Sequence, residues 1–147
     1  MTPIYDPKNY DIRNSIPYLM SRVRMSLLDT LDKELAPSDI TAAQYVVILF
    51  VANGLASQAS EVCTILRQDP GAMTRMVDRL ESKGFIRRVP NPEDRRATRL
   101  ELTPEGKAVY PKILATAVGV LNRYLRGFAK GEVRQMEDFL KRMLANV

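Results

Sequence analysis

Gly71, Ala72, Thr74 and Arg75 open an apolar-periodic stretch that begins at Asp69-Pro70, and Arg95, Arg96 and Arg99 crowd a polar loop and its exit further along. Arginine presents a planar fork of donors that matches a guanine edge or a phosphate. Small residues at the start of a helix let its backbone amides come close to an anion. The chemistry on offer is recognition of nucleic acid, not the making of bonds. Residues 67–99 hold nine Arg or Lys (Arg67, Arg75, Arg79, Lys83, Arg87, Arg88, Arg95, Arg96, Arg99) against five acids (Asp69, Asp78, Glu81, Glu93, Asp94). That excess of four accounts for most of the chain's net charge of +5. Such a zone is the electrostatic footprint of a nucleic-acid binder, although a solvated basic face gives the same count.

The rest of the composition removes competing function classes. The chain has no histidine and one cysteine, Cys63. The commonest general base is therefore missing, a thiolate metal cluster cannot form, and no phosphate-cradling glycine motif appears. The expectation is a protein that is not an enzyme and holds no metal or cofactor. Cys63 cannot form an intramolecular disulfide, and a lone free cysteine ordinarily serves as a small buried apolar residue. The opening MTPIYDPKNYD lacks a secretory pattern, and the longest apolar run, Tyr45 to Ala52, is far shorter than the ~20 residues of a membrane span. A cytoplasmic protein without a membrane partner is expected.

The elements that must position these groups follow from periodicity and caps. Ile12, Ile16, Leu19, Val23, Leu27 and Leu31 mark one face of a helix ending near Ala36-Pro37, with Pro17 either starting or kinking it. Thr41-Ala-Ala-Gln44 is a capping box for a second helix that stops at Asn53-Gly54. Ser57 is the expected N-cap of a short third helix through Leu66. Asp69 caps a fourth, with Pro70 at its first position and Gly84 closing it. Met73, Met76, Val77 and Leu80 form its buried side, leaving Gly71, Thr74, Arg75, Asp78 and Arg79 outside.

After Gly84 the period shortens. Phe85–Val89 and Thr98–Leu102 read as strands around an eight-residue tip, PNPEDRRA, longer than chain reversal requires. Thr103-Pro104 then starts a long helix with a heptad seam of Tyr110, Leu114, Ala117, Leu121, Tyr124 and Phe128. A last helix after Gly131 carries Val133, Met136, Leu140, Met143 and Val147. The fold class is mainly α with a small β-hairpin, a helix-turn-helix followed by a basic wing. The whole chain, 1–147, forms one domain, with a reading unit over 57–102 and terminal helices over 12–36 and 104–147.

From Asp69 to Gly106 the sequence resembles the winged unit of the MarR family of bacterial transcriptional regulators. The family's T-R-x-x-D-x-L is matched by Thr74, Arg75, Asp78 and Leu80, its wing signature D-x-R by Asp94-Arg95-Arg96, and its L-T-x-x-G by Leu102, Thr103 and Gly106. The resemblance implies a homodimer held by the terminal helices. It also implies binding to a pseudo-palindromic operator, frequent repression, and release by a small phenolic or anionic ligand or by thiol oxidation. The redox members carry their sensor cysteine near the start of the first helix, where this chain has none, so Cys63 is not expected to sense.

On this reading Pro70, Gly71, Ala72, Thr74 and Arg75 face the major groove, and Arg79 takes a phosphate or an internal ion pair. In the wing, Arg95 or Arg96 enters the minor groove beside Arg99, spacing leaving open which one, while Asp94 braces an arginine and holds the loop. An effector pocket is expected where Arg22, Met25, Tyr45 and Tyr110 converge, arginine suiting a carboxylate and tyrosine a phenol.

Overall fold

The computed structural model describes residues 3–147. A 3-10 turn at Ile12–Asn14 leads into helix α1, Ile16–Leu35, which is followed by a second 3-10 turn, Ala36–Ser38. Pro17 therefore starts α1 rather than kinking it. Helix α2, Ala42–Ala52, is opened by the expected capping box: Thr41 Oγ1 accepts the Gln44 amide and Gln44 Oε1 accepts the Thr41 amide, each at 3.1 Å. Gly54 ends it at φ +66°, where a Cβ would be strained.

Helix α3 spans Ala59–Leu66 and α4 spans Pro70–Ser82. The cap of α3 is a correction: Gln58, in an extended conformation, occupies it and makes no side-chain capping bond, whereas Ser57 lies one residue earlier. The Ser57 carbonyl accepts the Leu100 amide at 2.7 Å and its own amide donates to Glu61 at 2.6 Å. A serine before a helix is equally at home as a short strand partner, and here backbone pairing to the hairpin prevails. Strands β1, Ile86–Pro90, and β2, Thr98–Leu102, run antiparallel, with Ile86 opposite Leu102 and Pro90 opposite Thr98. The first strand is thus one residue later than its pattern suggested. Pro90 serves as an edge residue of the ladder, which leaves a seven-residue tip, Asn91–Ala97.

Helix α5, Pro104–Tyr124, and α6, Lys130–Ala145, complete the chain. Thr103 caps α5 through the Gly106 amide at 3.0 Å, and its own amide donates to the Phe85 carbonyl. Gly106 is packed so closely on that carbonyl that an added Cβ would collide with it. The L-T-x-x-G pattern is therefore a joint, where the strand returning from the wing turns into α5.

The core runs through Leu35, Val47, Ile48, Val62, Met73, Val77, Leu80, Ile86, Ile113 and Val120. It differs from the seam expected on α5, where Ile113, Ala117 and Val120 are buried and Leu121 is exposed. Phe128 lies beyond the end of α5, after which Gly127 turns at φ +90°. The helix carries apolar residues on more than one face, so the expected seam meets the core only in part: Ala117 is buried and Tyr110 and Tyr124 pack against it, while Ile113 and Val120 enter it from beside the seam. Helix α6 buries none of its side chains within the chain, and Gly131 lies inside its first turn. No single helix among the described residues is long and apolar enough to cross a membrane.

Candidate nucleic-acid interface

Helix α4 is built to present its outer face. Asp69 Oδ2 accepts the Ala72 amide at 2.9 Å, Pro70 occupies the first turn, and Met73, Val77 and Leu80 anchor the opposite side in the core. Met76, expected among them, is half-buried. Gly71, Thr74, Arg75, Asp78 and Arg79 are exposed, as their spacing predicted. The Arg75 side chain folds back toward the helix start: a Cβ at Gly71 would stand 3.4 Å from Arg75 Nη1 and 3.1 Å from Asp69 Oδ2. Thr74 Oγ1 donates to the Pro70 carbonyl at 2.9 Å, which leaves its oxygen free to accept.

The wing tip holds its own shape. Asn91 and Ala97 close it by a backbone bond of 3.2 Å, Ala97 also donates to the Asp94 carbonyl, and Asn91 Oδ1 accepts the Glu93 amide. Asp94 Oδ1 accepts the Arg96 backbone amide at 2.9 Å. The aspartate thus braces the loop's main chain and not a guanidinium, because an amide two residues on is closer than any flexible arginine head. Arg95 and Arg96 are exposed at the tip and Arg99 is exposed on β2.

Ion pairing divides the nine cations of residues 67–99 into two groups. Lys83 pairs with Asp39, Arg87 with Glu101 across the hairpin at 3.1 Å, and Arg88 with Asp78 at 2.7 Å and Glu81 at 3.2 Å. The other six, Arg67, Arg75, Arg79, Arg95, Arg96 and Arg99, form no ion pair among the described residues. Arg79, left open by the sequence, therefore belongs with the unpaired group. The acids of α4 that would repel phosphate, Asp78 and Glu81, are both bound by Arg88 from the neighbouring strand, which offsets one of their two charges. This role was not foreseen, although two acids three residues apart on one helix face, followed by a paired Arg87-Arg88, carried the signal.

Of the four residues expected to form an effector pocket, Tyr45 and Tyr110 lie near one another, whereas Arg22 and Met25 are exposed on α1. Tyr45 is buried, and burial first, with Tyr110 second, pushes its phenol above the usual tyrosine range. The Tyr110 hydroxyl accepts Asn53 Nδ2 at 2.8 Å. Arg22 and Met25 lie on the exposed side of α1, away from the stripe of Leu31 and Leu35 that enters the core. Helical spacing brought the two tyrosines together but put the other two on the outer face. The large open concavity is elsewhere, between α1 and α6: about 580 Å³ lined by Leu19, Val23, Leu27, Met136, Phe139 and Met143, among others. Cys63 is half-buried, with its thiol donating to the Gln68 carbonyl at 2.8 Å.

Residues 38–97 match the family model described as the MarR family. The multiple antibiotic resistance protein MarR of Escherichia coli (strain K12) is 36% identical over 115 residues, covering 78% of this chain and 80% of that protein. The chain belongs to the MarR family. A second relative of this MarR-family chain, the HTH-type transcriptional repressor MdtR of Bacillus subtilis (strain 168), is 31% identical over 85% of this chain and 78% of its own length. Among solved structures, a cysteine-to-serine variant of Escherichia coli MarR complexed with operator DNA aligns with a TM-score of 0.79 at 32% identity, covering 92% of this chain and 99% of that one. CouR from Rhodococcus jostii RHA1, bound to p-coumaroyl-CoA, aligns with a TM-score of 0.81 at 26% identity over 92% of this chain and 95% of that one. The architecture is the winged helix-turn-helix of MarR regulators.

Proposed function

We propose that this chain is a homodimeric transcriptional regulator that binds a pseudo-palindromic operator in double-stranded DNA, represses from it, and is released by a small phenolic or anionic ligand. The observation that carries the DNA reading is the division of the cations. The three that the fold consumes hold the reading unit together, while the six without an acidic partner include those at the start of α4 and on the wing. Pro70, Gly71 and Ala72 give α4 a close approach to the major groove, Thr74 and Arg75 read base edges, and Arg79 takes a phosphate. Arg95 or Arg96 enters the adjacent minor groove, supported by Arg99, with Asp94 keeping the tip in shape. The relative solved with operator DNA supports this assignment.

We assign 57–102 to reading and 12–36 with 104–147 to pairing between copies. Leu19, Val23, Met136, Phe139 and Met143 are each between two-fifths and just over half exposed, and the apolar groove between α1 and α6 lacks an occupant among the described residues. A second copy that inserts its own terminal helices buries both sets and presents two reading units to half-sites ~34 Å apart. The relative holding p-coumaroyl-CoA supports an aromatic, anionic class of effector. Such a ligand releases DNA by binding the incompetent separation of the reading units more tightly than the competent one. The function includes no catalytic step, in keeping with a chain without histidine, and its place of action is the cytoplasm.

Titration against a random-sequence DNA pool at several salt concentrations, followed by selection of a consensus, tests the proposal. The expected result is affinity that falls steeply with salt and an inverted-repeat consensus; binding that is absent or insensitive to salt overturns it.

A further inference from the structure

Lys83 stands at the C-cap of α4, and its ammonium reaches across to the corner between α1 and α2. Nζ donates to the Asp39 carbonyl at 2.6 Å and to Gln44 Oε1 at 3.1 Å, and it lies 3.4 Å from Asp39 Oδ1. An ammonium has three donors and no acceptor, so these three oxygens satisfy it. Each partner is itself held. Asp39 adopts the left-handed conformation at φ 56° and closes the Ala36–Ser38 turn. Gln44 is buried, and the same Oε1 accepts the Thr41 amide. The adjoining Ala42 amide donates to Asp32 Oδ1 of α1 at 2.6 Å.

A polar path therefore runs from Asp32 on α1, through the start of α2, to Lys83 at the end of α4, and it bypasses α3. Apolar packing also links these helices through the core, where Leu31 and Leu35 of α1 share one cluster with Met73, Val77 and Leu80 of α4, but at the joint itself it gives way to a cavity of about 400 Å³ lined by Leu28, Asp32, Ile40, Thr41, Ala43 and Lys83 among others. Helix α1 carries the exposed Leu19 and Val23 assigned above to pairing between copies.

We propose that Lys83 is a positioning residue that ties the recognition helix to the pairing helix and so fixes the spacing of the two reading units in the dimer. The inference rests on the dimeric DNA-binding function proposed above. Without the tie, α4 keeps its core contacts through Met73, Val77 and Leu80 but loses the polar constraint on its orientation toward α1. Lys83 touches no DNA in this scheme.

The test uses the full chain carrying Lys83→Met, which keeps the aliphatic stem and removes the donors, with Lys83→Arg as the conservative variant. Affinities are measured for the selected inverted repeat, for versions with half-site spacing altered by one or two base pairs, and for random DNA. Wild type prefers one spacing. Lys83→Met loses about tenfold of that preference, the scale of one charge-assisted hydrogen bond, with random-DNA affinity and salt slope unchanged. Lys83→Arg retains most of the preference. Unchanged preference in Lys83→Met, or a parallel loss on every DNA together with a lower melting temperature, overturns the inference. A second readout needs no DNA: spin labels at Ser82→Cys in a Cys63→Ser background report the separation of the two α4 ends. A narrow distance distribution that broadens in Lys83→Met supports the tie, and identical distributions overturn it. A wild-type chain that binds no DNA refutes the function proposed above, while the label distances still judge the tie.

Discussion

Arg88 of the wing strand grips Asp78 of the recognition helix, with Nη2 2.7 Å from Oδ1. The same guanidinium reaches Glu81 at 3.2 Å, and the Arg88 amide donates to the other oxygen of Glu81 at 3.0 Å. One residue therefore joins β1 to α4 at three points and offsets one of the two carboxylate charges on the helix assigned to the major groove. A wing and a helix that enter neighbouring grooves must keep a fixed relation, and this contact supplies it.

Replacing Arg88 by methionine should lower affinity for operator and random DNA alike by about tenfold, since two acids are released toward phosphates and a charge-assisted bond is lost. Adding Asp78→Asn should restore part of that loss. A double-mutant cycle by DNA titration reads the coupling, and a double variant no better than Arg88→Met alone would show that repulsion is not the cause.

Arg75 should be distinguishable from the phosphate contacts by the kind of DNA it affects. Arg75→Ala is expected to cost about 1–3 kcal/mol on the selected operator and little on random sequence, as a base-edge contact does. Competition binding measures the two losses, and equal losses would move Arg75 to the phosphate contacts.

Pairing between copies should fail when a charge enters the α1–α6 groove. Leu19 is 48% exposed and Phe139 50% exposed in the single chain, so Leu19→Asp or Phe139→Asp should leave the helical content intact. Sedimentation should show a monomer, and operator affinity should fall far more than random-DNA affinity. A variant that remains dimeric would place the interface elsewhere.

Gly106→Ala should destabilise the chain by about 1–3 kcal/mol, the usual cost of overpacking, because the new Cβ meets the Phe85 carbonyl. Gly119→Ala, with open space around it, is the control and should be neutral or slightly stabilising. Thermal unfolding of both variants checks the contrast.

Alkaline pH should weaken the fold through Tyr45. Its phenol is held above the usual range by burial, so the unfolded chain loses that proton first and stability falls as pH rises past about 10. Tyr45→Phe should show a shallower alkaline decline than wild type in denaturant titrations across that range. Parallel declines would mean that Tyr45 does not contribute.

The parts of this fold legible in the sequence were those set by neighbours along the chain. Thr41 with Gln44, Asp69 with Pro70, and Thr103 with Pro104 announce helix starts because capping is a contact of two or three residues. The exposed face of α4 was legible for the same reason. Periodicity determines only part of what α5 buries: Ala117 is buried and Tyr110 and Tyr124 pack against the core as their spacing predicts, yet Ile113 and Val120, off that seam, are buried and Leu121 is exposed. Nor does spacing within one helix say what faces it: Arg22 and Met25 are exposed on α1 in the single chain, while Tyr45 is buried. The pairing of Arg88 and of Lys83 joins residues from separate elements and becomes visible only when those elements are brought together.

All of the side-chain and turn bonds described for the Asn91–Ala97 tip are to the tip itself. Its residues can thus be exchanged as a cassette without disturbing the body that carries them. If the tip reads the minor groove as proposed, lineages that need a different preference have an inexpensive route here: substitutions confined to the tip would alter which DNA is favoured while the melting temperature and the dimer stay as they were.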